Sequence, residues 1–94
     1  MRILYFYFMK DAPDRARAAA PRHAAYWRGL ALREYLGGPF ADRSGGLIIF
    51  NADSGEQAEQ LVAGDPFIRE DLLDRHWVKE WVVDLRAPAT EGTP

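Results

Sequence analysis

Two side chains in this sequence sit where proton chemistry could be built, His23 and Asp65. An imidazole can exchange a proton near neutral pH, and a carboxylate beside it can fix its tautomer and orientation. His23 lies in Pro21-Arg22-His23. Proline is at home in the first position of a helix, so the pattern predicts a helix over residues 21–33 with His23 in its first turn. There the positive end of the helix dipole would disfavour imidazolium by about 0.3–1 kcal/mol, and a neighbouring carboxylate would act in the opposite sense. His23, Trp27 and Leu30 fall at i, i+4 and i+7, so His23 shares the stripe of the core-facing side chains. Its plainer use is to cap the helix or to pack on Trp27. Asp65 lies in Gly64-Asp65-Pro66-Phe67. It could cap a helix beginning at Pro66, a contribution of about 1 kcal/mol, or serve as the partner of an imidazole. Its two oxygens allow both.

Other residues have paired readings. Gly38-Pro39 would shape the backbone beside such a site. Asp42 and Ser44 are turn formers ahead of Gly45-Gly46 that could also line it. Tyr5 and Tyr7 could turn a phenol toward a cavity or serve core and dimer packing. Trp27, Trp77 and Trp81 suit core and interface anchors and could stack on an aromatic ligand. Arg15, Arg17 and Arg22 make a local basic patch, either a solvated face or an attraction for an anion at the helix start. His76 could join His23 on a metal, but two distant histidines without clustered carboxylates are a weak metal pattern.

The elements that would position these residues follow in order. Residues 2–9 are continuously apolar and read as a buried strand. Residues 14–20 are rich in alanine and arginine and allow one helical turn before Pro21. Residues 34–40 contain Gly37-Gly38-Pro39 and read as a short, irregular edge strand. Residues 42–46 read as a hairpin turn and residues 47–50 as the third strand. Ser54 with Gln57 forms a capping box for a helix that ends at Gly64, with Ala58, Leu61 and Val62 on one face. A short helix starts at Pro66. Residues 76–85 read as the last strand. The order β-α-β-β-α-β is the ferredoxin-like pattern, an α+β fold with two helices over a four-stranded antiparallel sheet. Residues 1–85 make the domain and residues 86–94 a flexible tail. Strands 1, 3 and 4 are apolar on both faces, so the open face needs a cover. A second copy packed sheet to sheet, giving a homodimer, is the simplest one.

Composition removes several classes. The 94 residues carry no cysteine, which excludes disulfides, thiolate catalysis and cysteine-ligated metals. The net charge of −2 gives no attraction to nucleic acid or to an anionic membrane. The strand 46–50 also lacks the exposed aromatic and basic pattern of an RNA-recognition domain. No apolar run approaches the roughly 18 residues of a membrane span, and charges follow the first strand at once, unlike a signal peptide. A cytoplasmic protein is expected.

The chain resembles the YciI-like, or YCII-related, proteins of the dimeric α+β barrel group, which also contains muconolactone isomerases. The resemblance rests on the aromatic first strand, Pro21 and His23 with one residue between them, and Gly38-Pro39 followed by Asp42 and a glycine-rich hairpin. It rests further on the alanine-rich second helix, Asp65-Pro66-Phe67 and Trp81. The arginine that often precedes the proline is displaced here to Arg17 and Arg22. The resemblance implies a dimer with one pocket per subunit, walled by the sheet and the first helix, and a His23–Asp65 active site; the residues themselves offer Tyr5, Tyr7, Trp27, Gly38, Pro39, Asp42 and Ser44 as candidates for substrate binding. The implied activity is of lyase or isomerase type on a small cyclic or aromatic compound, including dehydrochlorination of hydroxyaromatics, with no cofactor needed for the proton transfer. A non-catalytic domain that binds a small ligand in the same pocket is the alternative.

Overall fold

The computed structural model describes residues 1–88. Its elements are β1 (Arg2–Met9), α1 (Pro13–Gly29), β2 (Leu36–Pro39), β3 (Gly45–Asn51), α2 (Gly55–Ala63), the single-turn α3 (Pro66–Arg69) and β4 (Leu73–Glu80). The strands form one antiparallel sheet in the order β2-β3-β1-β4. The α+β, ferredoxin-like arrangement expected from the sequence is therefore the one found. No helix among the described residues is long and apolar enough to cross a membrane.

Strand alternation decides which side chains meet the helices. The odd residues of β1, Ile3, Tyr5 and Tyr7, join Ile48 and Phe50 of β3 on the covered face. Ala19 and Trp27 of α1 and Ala58 and Val62 of α2 close over them. Ser54 caps α2 by accepting from the Gln57 amide at 3.0 Å, while the Gln57 side chain reaches back to the Asp53 amide. The expected box is present with its return arm one residue early.

The first helix differs from the sequence expectation. It is continuous from Pro13 to Gly29 and carries Pro21 in its interior, so His23 sits mid-helix and the dipole argument for a first-turn histidine does not apply. Pro21 removes the hydrogen bond to the Arg17 carbonyl, a cost of about 3 kcal/mol in a helix interior. Three influences offset it. Alanines at 16, 18, 19 and 20 favour the helix strongly. The Arg22 guanidinium donates to the Ala18 carbonyl at 3.2 Å, bridging the weakened turn. Above all, Ala19, His23 and Trp27 recur every four residues across the proline, and only an unbroken helix keeps them on one stripe against the sheet.

Two strand boundaries also move. Gly45 and Gly46 belong to β3, leaving residues 41–44 as the turn. Tyr7 lies across Gly46: a Cβ there would run into the Tyr7 hydroxyl and stand 2.9 Å from the Gly38 carbonyl oxygen. The glycine therefore serves close approach inside the sheet. β4 begins at Leu73, where a bulge after Phe8 lets it pair with Met9, and it ends at Glu80. It pairs only with β1, so after the Trp81 amide bonds to the Arg2 carbonyl no backbone remains to continue the ladder. Trp81, Val82 and Leu85, expected inside the strand, lie beyond it and are exposed. Of the tail expected to be flexible, residues 89–94 lie outside the described residues.

The opposite face of the sheet carries Leu4, Phe6 and Phe8 with Leu47, Ile49 and Trp77, all half-buried, plus exposed Leu36. Phe6 stacks on Trp77 with ring centroids 5.0 Å apart, and the Arg75 guanidinium lies 5.1 Å from the Phe8 centroid. No described helix covers this face.

Candidate active site

The site is built where α1 crosses the start of α3. Gly64 ends α2, and Asp65 then caps α3, accepting from the Phe67 amide at 2.9 Å through Oδ1. Pro66 at the first helical position fixes that turn. The same Oδ1 lies 2.8 Å from Nδ1 of His23. The second oxygen accepts from the Tyr5 hydroxyl at 2.8 Å. Asp65 is fully buried, and three donors converge on its two oxygens. Both uses open to it in the sequence, cap and imidazole partner, are thus met at once.

This environment assigns the histidine tautomer. Asp65 takes hydrogen bonds from a backbone amide and a phenol, so it acts as an acceptor and Nδ1 of His23 carries the hydrogen. In the neutral ring Nε2 then carries the lone pair, with the Tyr7 hydroxyl 3.4 Å away as its hydrogen-bond partner. The ring is fixed on a second side by Phe67, which stacks on it at 4.0 Å with planes 11° apart. The tripeptide Asp65-Pro66-Phe67 therefore grips the imidazole by edge and by face.

Nε2 points to a cavity of about 710 Å³ between α1, the β2–β3 hairpin and Phe67. Tyr7 stands at its floor with the hydroxyl 3.4 Å from Nε2. The Tyr7 phenol is pushed up from its ordinary pKa by burial, then by the charges of Asp65 and Tyr35, so it stays protonated and can donate. Tyr5 is pushed up by burial first, then by the charge of Asp65 and their hydrogen bond.

The residues singled out in the sequence divide into three groups. His23, Tyr7, Trp27, Gly38 and Pro39 line the cavity. Tyr5 does not: it is fully buried behind the carboxylate and anchors it. Asp42 and Ser44 do not line it either. Asp42 accepts from the Ser44 amide and hydroxyl at 3.0 and 2.7 Å and holds the hairpin turn. These bonds keep the Asp42 carboxyl below the usual carboxylate range, the Ser44 hydroxyl contributing most. His76 meets the Tyr5 ring edge-on, centroids 6.0 Å apart, and among the described residues no three potential ligands cluster as a metal site would require. Phe67, quoted in the sequence only as part of the Asp65-Pro66-Phe67 motif, also lines the cavity, as do Tyr35, Arg28 and Arg43, which were not singled out. Phe67 alone carried a local signal, being two residues beyond a capping aspartate.

A model of the YCII-related domain matches residues 2–82. This chain belongs to the YCII-related family. Among solved structures it is similar to 5-chloro-2-hydroxyhydroquinone dehydrochlorinase (TftG) from Burkholderia phenoliruptrix AC1100, in complex with 2,5-dihydroxybenzoquinone. The two share 24% identity at a TM-score of 0.76, over 87% of this chain and 94% of that one. It is also similar to Rv0793 from Mycobacterium tuberculosis, with 16% identity and a TM-score of 0.50, over 90% of this chain and 97% of that one. Both likenesses establish the fold. A search of curated proteins gave no match. Within this YCII-related domain the cavity, the oriented imidazole and the buried carboxylate occupy one end of the helix-covered face.

Proposed function

We propose that this protein is an enzyme of lyase or isomerase type that moves a proton on a small cyclic or aromatic compound held in the α1 cavity. The observation that carries the reading is the Nδ1–Asp65 bond, which leaves the Nε2 lone pair of His23 facing the cavity. His23 is the general base. Nε2 takes a proton from a ring hydroxyl or an adjacent carbon, the released electron pair moves into the ring system, and a leaving group departs with its own pair. In an isomerisation the same imidazolium returns the proton at another atom. Asp65 stabilises the imidazolium as it forms, and the Tyr7 hydroxyl donates to a substrate oxygen beside Nε2. Such proton transfer needs no cofactor. The structural similarity to TftG, a dehydrochlorinase of a chlorinated hydroxyhydroquinone, supports elimination as the reaction type.

The functional unit in this reading is a homodimer. Its motive is the open sheet face, where Leu4, Phe6, Leu47, Ile49 and Trp77 form one apolar surface. Sedimentation should give about twice the 10.7 kDa chain mass, and Leu47→Lys should shift it toward monomer. A wild-type monomer at micromolar concentration refutes the dimer. The test of the reaction is a screen of chlorinated and unchlorinated hydroxybenzenes and small lactones, following acid release and product spectra. Turnover by the purified protein alone is expected. Saturable binding without turnover of any bound compound would instead make the domain a ligand-binding module.

A further inference from the structure

Two arginines at the cavity hold no side-chain partner among the described residues. Arg28 projects from α1 and Arg43 from the β2–β3 turn, and both line the cavity. Neither takes part in an ion pair or side-chain hydrogen bond among the described residues. The basic patch at the start of α1 offers the contrast. Arg17 is held by Asp14 at 2.8 Å, Arg22 binds both oxygens of Glu70, and Arg15 donates to the Glu70 carbonyl. That patch is committed to the fold, whereas Arg28 and Arg43 are not.

Among the described residues no aspartate or glutamate lines the cavity, and the nearby Asp65 carboxylate is fully buried behind His23 and engaged by three donors, which leaves Arg28 and Arg43 as the charged side chains on the cavity wall. A concave surface of one sign focuses its field on a ligand of the opposite sign. The backbone adds a second observation. Arg43 has φ 66, in the left-handed region that glycine occupies freely and other residues avoid. Asp42 and Ser44 lock the turn around it, and the Arg43 amide bonds to the Phe40 carbonyl at 2.9 Å. The position suits glycine, yet an arginine occupies it at the cavity.

His23 and Arg28 line the cavity from α1 and Arg43 lines it from the β2–β3 turn, and a volume of about 710 Å³ accommodates a substituted benzene ring. We infer that the substrate is a small aromatic acid or comparable planar anion, whose carboxylate is held by Arg28 and Arg43 while the opposite end of the ring meets Nε2 of His23. The inference rests on the proposed reaction site and adds the class of molecule that enters it. Two guanidiniums converging on a carboxylate would also align the ring across the imidazole.

The test uses binding, which does not depend on turnover. Calorimetric titration compares 2,5-dihydroxybenzoate with its methyl ester on wild type, Arg28→Gln and Arg43→Gly. The acid should bind wild type at least about tenfold tighter than the ester, with a preference that shrinks as salt rises. Each variant should lose most of that preference. Arg43→Gly should fold at least as well as wild type, because glycine removes the left-handed strain, so weaker binding there cannot be ascribed to unfolding. Equal affinity for acid and ester, or a full preference kept by both variants, overturns the inference. Turnover of neutral compounds without acid preference would leave the reaction standing and this inference refuted. Acid-selective binding without any turnover would do the reverse. If neither probe binds at millimolar concentration, the inference fails.

Discussion

Asp65→Asn separates the charge of the carboxylate from its shape. The amide is nearly isosteric, and the three donors around it dictate its orientation. Oδ1 receives both the Phe67 amide at 2.9 Å and Nδ1–H of His23 at 2.8 Å, so the amide oxygen must take that place. Its NH2 then replaces Oδ2 and faces the Tyr5 hydroxyl, which can turn from donor to acceptor. The histidine therefore keeps its Nδ1–H tautomer, held by the backbone amide of Phe67. What is lost is the negative charge beside the imidazolium that forms in the transition state. At about 4 Å and an effective dielectric constant of about 20, that attraction is of order 4 kcal/mol. Allowing for partial charge transfer in the transition state, the expected loss in kcat is about 10²–10³-fold. The variant should stay folded, because exchanging a buried ion for a neutral, satisfied amide removes a desolvation cost along with the stronger hydrogen bonds. The assay is kcat on a compound found by the turnover screen, with long-range ¹H–¹⁵N spectra of His23 and a melting curve as controls. Wild-type kcat in a folded Asp65→Asn protein would refute the reasoning. A switched tautomer with a much larger loss would show that Phe67 does not pin the amide.

Three further outcomes follow from the same geometry. Tyr5→Phe leaves Oδ2 of Asp65 buried without a partner and should cost about 1–3 kcal/mol in denaturant unfolding; an unchanged midpoint would mean another donor reaches Asp65. Gly46→Ala forces the Tyr7 hydroxyl away and should destabilise by about 1–3 kcal/mol while lowering activity, because Tyr7 leaves its place beside Nε2; wild-type stability would show that the sheet yields there. The phenols of Tyr5 and Tyr7 have pKa values raised in the folded state. The unfolded chain therefore releases these protons first, near the ordinary tyrosine value of about 10. Their contribution to stability is complete below that pH and is lost progressively above it as pH climbs toward the folded values. Unfolding free energy should fall above pH 10, and less steeply in Tyr7→Phe; equal slopes would refute the assignment.

The fold was legible because most elements carry their own punctuation. Ser54, Gly64 and Asp65-Pro66 mark helix ends chemically, and the apolar runs at 2–9 and 47–50 mark central strands. What misled was punctuation with two meanings. Pro21 looks like a helix start, and only the tertiary need to keep Ala19, His23 and Trp27 on one stripe makes it a helix interior. Gly45-Gly46 looks like a turn, but the reason for glycine is Tyr7, which lies far off in sequence. In the site, His23 and Asp65 stood out by residue type and backbone position, and the resemblance supplied their pairing. The role of Tyr5 behind the carboxylate was hidden, because alternation shows that it faces the helices but not whether it meets cavity or protein. Arg28 and Arg43 were invisible for a related reason. Their distinction is that they lack a side-chain partner among the described residues, and only the folded chain shows which arginines are already taken.

Nε2 of His23 is the proposed base. The direct measurement is kcat at pH 7 for wild type and His23→Ala on one compound that wild type turns over, with melting temperatures and 2,5-dihydroxybenzoate affinities beside it. The expected outcome is a fall of about 10²–10⁴-fold in kcat, the usual loss when a general base is removed, while the variant stays folded and still binds the acid. Equal turnover by the two proteins would contradict it.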